Sequence, residues 1–300
     1  MIAPPSNPGT LAHQSWEFEK QFHGGLVVGV DGSRESVAAL NTAAAIARIR
    51  RCALHAVSVL QVMPSRDRSD PLRISLRASE LSELLRALEP GADWSSEVAI
   101  GRTARVLAEI AEIRGADLIV LGKRRHGTMD RVLGSETTLQ VMRMTPVPVL
   151  AVDAEIERPR TIVSAVDFSS ASVRAAKVAL DLLKMTGSGS LYLVFVEPSA
   201  EVIENEFSLA QETRFPGDVV VWFRRFVDSL GHHPGILTEP VLLTGRTVGA
   251  VVEFAERVGA DMIASGSHSH GRFERFLLGS VSTGLVRDAS CPVLVVPPCS

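Results

Sequence analysis

The chain matches itself at a fixed offset, and this constrains its fold more than any other feature. Asp117 in RGADLIVLG and Asp261 in VGADMIASG lie 144 positions apart, as do Gly101 and Gly245, and Pro148 and Pro292. Near the start of each copy the offset is smaller, because Asp31 and Asp167 are 136 apart. The second copy therefore holds eight additional residues between its first strand and Gly245, and a divergent helical stretch over 201–230 is the expected place for them. A length of 300 residues suits two domains of about 150 each.

Each copy alternates short apolar runs with helical patterns. In the first, Leu26–Val30, Ala53–Leu60, Trp94–Ile100, Asp117–Leu121 and Val147–Val152 read as strands. Helices are expected over 38–49, capped by Ser33 or Ser36, over 72–88, from Gly101 or Thr103 onward, and over 136–144. The third of these presents Val106, Ile110 and Ile113 as its apolar stripe. In the second copy, Ile162–Val166, Leu191–Val196, Leu237–Leu243, GADMIASG and CPVLVVP are the strands. Ser169 or Ser170 caps its first helix, and its last helix runs over 281–289. This alternation predicts an α/β fold with parallel sheets, right-handed crossovers and helices on both faces. The charged segment DAEIERPR reads as the connection. The domain plan is then a flexible tail over 1–23, a first domain over 24–153, a linker over 154–160 and a second domain over 161–300.

Composition narrows the function classes. Apolar residues make up 46% of the chain and charged ones 22%, as in a globular protein. A net charge of −3 offers no basic face for nucleic acid. No apolar run approaches the roughly 18 residues of a membrane span. The N-terminal stretch lacks the basic and apolar regions of a secretory signal. Cys52, Cys291 and Cys299 show no paired spacing, which suits a reducing cytoplasm.

The chemistry concentrates in two loops, LGKRRHGTMDRVLGS over 121–135 and SGSHSHGRFERFLLGSV over 265–281. Each runs from a strand through small and polar residues to Gly-Ser and a helix N-terminus. That order places backbone N–H groups and the positive end of a helix dipole around an anion. In open parallel sheets, ligands bind at the carboxyl ends of the strands.

With VGVDGS, the GADLIVLG-type strand, LGS and the final PVLAV or CPVLVV occurring in order in both copies, the chain resembles a tandem universal stress protein from Leu26 to Pro297. The resemblance implies strand order 3-2-1-4-5 in two open five-stranded sheets, pseudo-two-fold related through their fifth strands. It also implies a cytoplasmic stress-response protein that binds an adenine nucleotide, ATP or AMP, with Mg²⁺ bridging the phosphates of ATP. The family signature is Gly, two residues, Gly, nine residues, Gly, then Ser or Thr. In the second copy Gly266 begins it, Ser269 stands at the second glycine, and nine residues precede Gly279-Ser280. In the first, Gly122 begins it, Arg125 replaces the second glycine, and eight residues precede Gly134-Ser135. A side chain where a backbone needs positive φ costs roughly 1–3 kcal/mol. The second copy is thus the expected site, formed by Asp167, Gly266, His268, Ser269, Gly279, Ser280 and Val281. A weaker counterpart comprises Asp31, Gly122, Arg125, Gly134 and Ser135.

Several readings stay open at this level. Asp31 and Asp167 either accept bonds from the adenine or ribose side of the ligand, as the resemblance implies, or cap the following helices. Arg125 either pairs with phosphate or fills the pocket, and the run Lys123–His126 either attracts phosphate or is a solvated loop. His268 and His270 lack a third metal ligand, His232-His233 reads as a surface turn, and no metal site is expected. Trp94 and Trp222 are expected in the core. No GxSxG, HExxH or GxxxxGK[ST] motif occurs, so no enzyme is expected. The competing function is a nucleotide-free scaffold that docks a protein partner through the paired domains, either as one chain or as a homodimer.

Overall fold

The computed structural model describes residues 24–61, 71–123, 134–197, 218–267 and 278–298. The first repeat runs β1 (Leu26–Gly29), α1 (Arg34–Arg50), β2 (Leu54–Leu60), α2 (Pro71–Leu88), β3 (Ser95–Ile100), α3 (Thr103–Ile113), β4 (Leu118–Gly122), α4 (Gly134–Met144) and β5 (Val149–Val152). The second runs β6 (Thr161–Ala165), α5 (Ser170–Thr186), β7 (Gly189–Glu197), α6 (Asp218–Leu230), β8 (Ile236–Thr244), α7 (Thr247–Arg257), β9 (Met262–Gly266), α8 (Ser280–Asp288) and β10 (Val293–Val296).

The strands lie in the order β3-β2-β1-β4-β5-β10-β9-β6-β7-β8, so each repeat has the expected order 3-2-1-4-5. The two halves join edge to edge into one ten-stranded sheet. Every neighbouring pair is parallel except β5 and β10, which pair antiparallel through Val149↔Val295, Leu150↔Leu294 and Ala151↔Val293. The sheet register also locates the extra residues of the second copy. Leu54 of β2 matches Leu191 of β7, and Ser95 of β3 matches Glu239 of β8, so the offset grows from 137 to 144 between these strands. Most of the insertion therefore lies between β7 and β8, within the divergent region.

Alternation along the strands sends side chains to both helix layers. Leu26, Val28 and Leu54 pack against Leu40, Ala43 and Leu81 on one face, in a cluster that continues into α5 and α6 through Leu180, Leu183 and Phe226. Val27, Ile119 and Val149 face Leu107 and Leu139, in a second cluster that continues into α7 and α8 through Val251 and Leu285. Each face thus carries one apolar layer across both repeats. The stripe on α3 differs from expectation: Ala104, Leu107, Ala108 and Ala111 are buried, while Ile113 is 82% exposed at the helix end. Leu107 and three alanines hold the inward face, Ile110 packs half-buried at its margin, and the alanines let the helix approach the sheet closely. Trp94 is half-buried under Arg48, whose guanidinium lies 5.8 Å from its ring centre. Among the described residues no helix is long and apolar enough to cross a membrane.

The aspartate of each GAD sequence ties down the start of the neighbouring strand. Asp117 takes two bonds from Arg50, at 2.8 and 2.6 Å, and a third from the Gly24 N–H at 2.7 Å. Asp261 instead accepts from the Arg160 and Thr161 N–H groups at 2.7 and 2.9 Å. Arg50 and Asp117 are largely buried, with side chains 4% and 14% exposed. Replacing Asp117 by Ala leaves the guanidinium without its carboxylate. Urea unfolding of Asp117→Ala should show a loss of about 3 kcal/mol.

His55 on β2 is buried, with Nδ1 2.8 Å from Ser95 Oγ. Its Nε2 lies 3.2 Å from Glu97 Oε2 without hydrogen-bond alignment, and Arg114 contacts the same carboxylate oxygen at 3.2 Å. Burial, then the Arg114 charge, lower the His55 pKa from its ordinary 6.5, against an opposing pull from Glu97. The folded state therefore binds fewer protons than the unfolded chain. The resulting stability is present above pH 6.5 and is lost as pH falls through the lowered value. Melting of His55→Gln should depend less on pH in that window than melting of the parent.

Candidate functional site

Of the expected ligand residues, Asp167, Gly266, Gly279, Ser280 and Val281 lie where the carboxyl ends of β6 and β9 meet the N-termini of α5 and α8. Asp167 follows β6, and its Oδ1 accepts the Ser169 N–H at 2.9 Å. Ser169 then caps α5 by accepting from the Ser172 N–H at 3.2 Å. The first repeat repeats this turn, with Asp31 Oδ1 accepting from Ser33 and Ser33 capping α1. The carboxylate thus does structural work in both copies. Among the described residues Asp167 Oδ2 has no protein hydrogen bond, so this oxygen is available to a ligand hydroxyl or amino group.

Gly266 is the last residue of β9, and a side chain there has no room. A Cβ on Gly266 would lie 2.6 Å from the Ser172 N and 2.8 Å from the Ala171 C. Gly122 meets α1 in the same way, 2.8 Å from the Glu35 C. The first signature glycine therefore lets the strand run against the first turn of the helix that follows the aspartate. Across this junction, Gly279 is the N-cap of α8 with no side chain to cap it. Its N–H donates to Ser267 O at 2.7 Å. Ser282, one turn into α8, is buried and donates from Oγ to the Gly266 and Ser267 carbonyls at 3.1 and 3.2 Å. These bonds hold the start of the helix against the end of the strand. The N–H groups of Ser280 and Val281 have no acceptor within the helix, and the positive end of the helix dipole lies with them.

The first repeat builds its counterpart differently. Thr138 Oγ1 donates to Gly122 O at 3.0 Å, as Ser282 does to Gly266 O, so the 144-residue offset persists through α4 and α8. The sequence match between the two Gly-Ser pairs is thereby out of step with the helices by one residue. Ser135 stands where Gly279 does, Glu136 stands where Ser280 does, and α4 already includes Gly134. The loop that is one residue shorter accounts for this slip. Glu136 is exposed in the first turn of α4 and lies 3.7 Å from Arg143. Its carboxylate already complements the helix dipole and opposes a second anion.

Arg125, His268 and Ser269 lie outside the described residues, as do Arg124, His126 and His270. Lys123, the first member of the basic run, is 1% exposed and turned into the junction between the repeats. Its Nζ donates to Ala289 O at 2.8 Å, which removes it from the phosphate-attracting surface.

Sequence reasoning missed what fills the space between the first two strands and the second helix. In the first repeat Arg77 reaches across, donating to Ser58 Oγ at 3.0 Å and Val30 O at 3.4 Å beside the left-handed Gly32. In the second repeat Phe168 takes that left-handed position with φ 60° and packs on Phe195, Phe223 and Phe226. Burial of the ring offsets the backbone strain. The change of DGS to DFS was the visible signal.

His233 Nε2 contacts Leu230 O at 2.8 Å beyond the end of α6, in the expected turn. Among the described residues no group of three His, Cys, Asp or Glu is placed to hold a metal ion. The clefts of about 330 Å³ between α6 and β8 and about 400 Å³ beside the connector lie away from the strand ends that carry the site.

Two separate matches to the profile of the universal stress protein family cover residues 25–153 and 159–297. The chain belongs to the universal stress protein family. It is 27% identical over 295 residues to universal stress protein Rv2005c of Mycobacterium tuberculosis, across 90% of this chain and 96% of that one. It is 32% identical over 141 residues to universal stress protein MJ0531 of Methanocaldococcus jannaschii, across 46% of this chain and 81% of that one. A crystal structure of a universal stress protein from Archaeoglobus fulgidus shares the tandem fold, with a TM-score of 0.69 at 19% identity over 93% of this chain and 97% of that one.

Within this universal stress protein, the close approach at Gly266 sets a test. Gly266→Ala must push β9 away from α5, and should cost about 1–3 kcal/mol in urea unfolding, with Gly122→Ala behaving alike.

Proposed function

We propose that this universal stress protein is a cytoplasmic stress-response regulator that binds one adenine nucleotide, ATP or AMP, at its second repeat and does not turn it over. The observation that carries this reading is the start of α8. Gly279 caps it without a side chain, Ser282 pins it to the end of β9, and the Ser280 and Val281 N–H groups point outward for phosphate. Asp167 lies across the same strand ends and presents Oδ2 to the ribose or adenine side. His268 and Ser269 complete the set by family resemblance, and Mg²⁺ would accompany bound ATP, neutralising phosphate charge. Glu136 disfavours the matching position in the first repeat. The absence of a nucleophile, general base or phosphate-loop lysine in any recognised motif supports binding without catalysis.

Calorimetric titration with ATP tests the reading directly. One equivalent per chain is expected, with a rise in melting temperature that reflects about 2.7 kcal/mol at a hundredfold excess over Kd. Gly279→Asp supplies a good helix cap while repelling phosphate, so it should keep its stability and lose at least tenfold in affinity. Absence of heat together with unchanged melting in millimolar ATP would sink the proposal, and two equivalents per chain would overturn its restriction to the second repeat.

A further inference from the structure

Among the described residues Lys123 is the largest fully buried side chain, and the binding reading gives it no part. It follows β4 directly, and its own N–H is held by Val152 O of β5 at 2.7 Å. Its ammonium crosses into the second repeat, donating to Ala289 O at 2.8 Å, with Asp153 Oδ2 3.8 Å away. A buried ammonium is costly unless it is paired, and here a carboxylate and a carbonyl supply the partners.

Ala289 is the C-cap of α8, the helix whose N-terminus faces the proposed ligand. A cation at this end complements the negative pole of the helix. Nine residues make α8 a rod about 13 Å long, short enough for a shift at one end to move the other. Its N-terminus is tied to β9 through Ser282, and its C-terminus to the first repeat through Lys123.

The matching positions are built differently. The counterpart of Lys123 is Ser267, a much shorter side chain, and the counterpart of Ala289 is Thr145, whose Oγ1 accepts the nearby Val147 N–H at 3.1 Å. The first repeat braces the helix of the second, while its own helix ends locally. Cys291 sits beside this contact. Burial pushes its thiol up to about 11, against the lowering influence of Lys123, and Asp153 adds to the rise.

We infer that Lys123 is a positioning residue for the anion-binding end of α8, so that the first repeat braces the ligand site of the second. This inference rests on the proposed nucleotide site for its functional meaning, while the brace itself is tested without a ligand.

The experiment compares the full chain with Lys123→Met, Lys123→Gln and Lys123→Arg. Amide resonances of Gly279, Ser280 and Val281 are recorded without ligand, and ATP affinity is then measured by calorimetry. Lys123→Met should shift these amides and weaken ATP binding by about fivefold or more, with the stoichiometry unchanged. Lys123→Arg, which keeps a cationic donor, should recover most of the affinity. Asp117→Ala, at the opposite end of β4, serves as a control for lost stability and should leave both readouts at parent values. If Lys123→Met does not fold, Lys123→Gln carries the same comparison with a neutral donor. Unshifted amides and parent affinity in the folded variant would overturn the brace, as would an equal loss in Asp117→Ala. A parent protein that binds no ATP would remove the nucleotide reading, and the amide shifts would still decide the brace.

Discussion

The architecture depends on the antiparallel ladder between β5 and β10. Each half is a parallel sheet whose last strand would otherwise end as an open apolar edge, with unpaired N–H and C=O groups and buried side chains facing water. Val149, Leu150 and Ala151 opposite Val295, Leu294 and Val293 close both edges at once. Because the pairing is made within one chain, it needs no second molecule and does not weaken on dilution. It also turns four helix layers into two continuous ones, so that neither half has a core wholly its own.

The same ladder sets the position of the ligand ends. Parallel strands expose their carboxyl ends on one side, and an antiparallel join turns the two halves in opposite directions. The strand-end turns at Asp31 and Asp167 therefore lie toward opposite margins of the sheet, and the end of β4 in the first half comes beside the start of β10 in the second. This is why Lys123, just beyond a strand's carboxyl end, meets Ala289, just beyond a helix C-terminus. The proximity of a ligand-side loop to the back of the neighbouring half follows from topology before any side chain is chosen.

Most of the fold was legible in the sequence because strand-helix alternation and the internal offset are backbone-level signals. The caps came from Ser33 and Ser169, and strand order came with the family resemblance. The α3 stripe was read only in part, because Ile110 does pack at the edge of the core while Leu107 and the alanines Ala104, Ala108 and Ala111 take its centre and Ile113 ends exposed. At the site, Asp167, Gly266 and Gly279 converge where the motifs placed them. The one-residue slip that puts Glu136 at the place of Ser280 was hidden, because matching LGS to LGS looks more convincing than counting through a shortened loop. Lys123 was hidden for a different reason. A lysine within a basic run reads either as phosphate-attracting or as solvated, and only three-dimensional proximity across 166 residues reveals its partner.

The lysine tie has a bearing on how such a pair diverges. In a dimer of identical halves, every interface contact is obliged to appear twice, so one half cannot serve as support for the other without being supported in return. Joining the halves in a single chain lifts that symmetry. A contact such as that of Lys123 with Ala289 then has no obligation to be returned, and the order of the two copies along the chain acquires a meaning that a symmetric assembly could not encode.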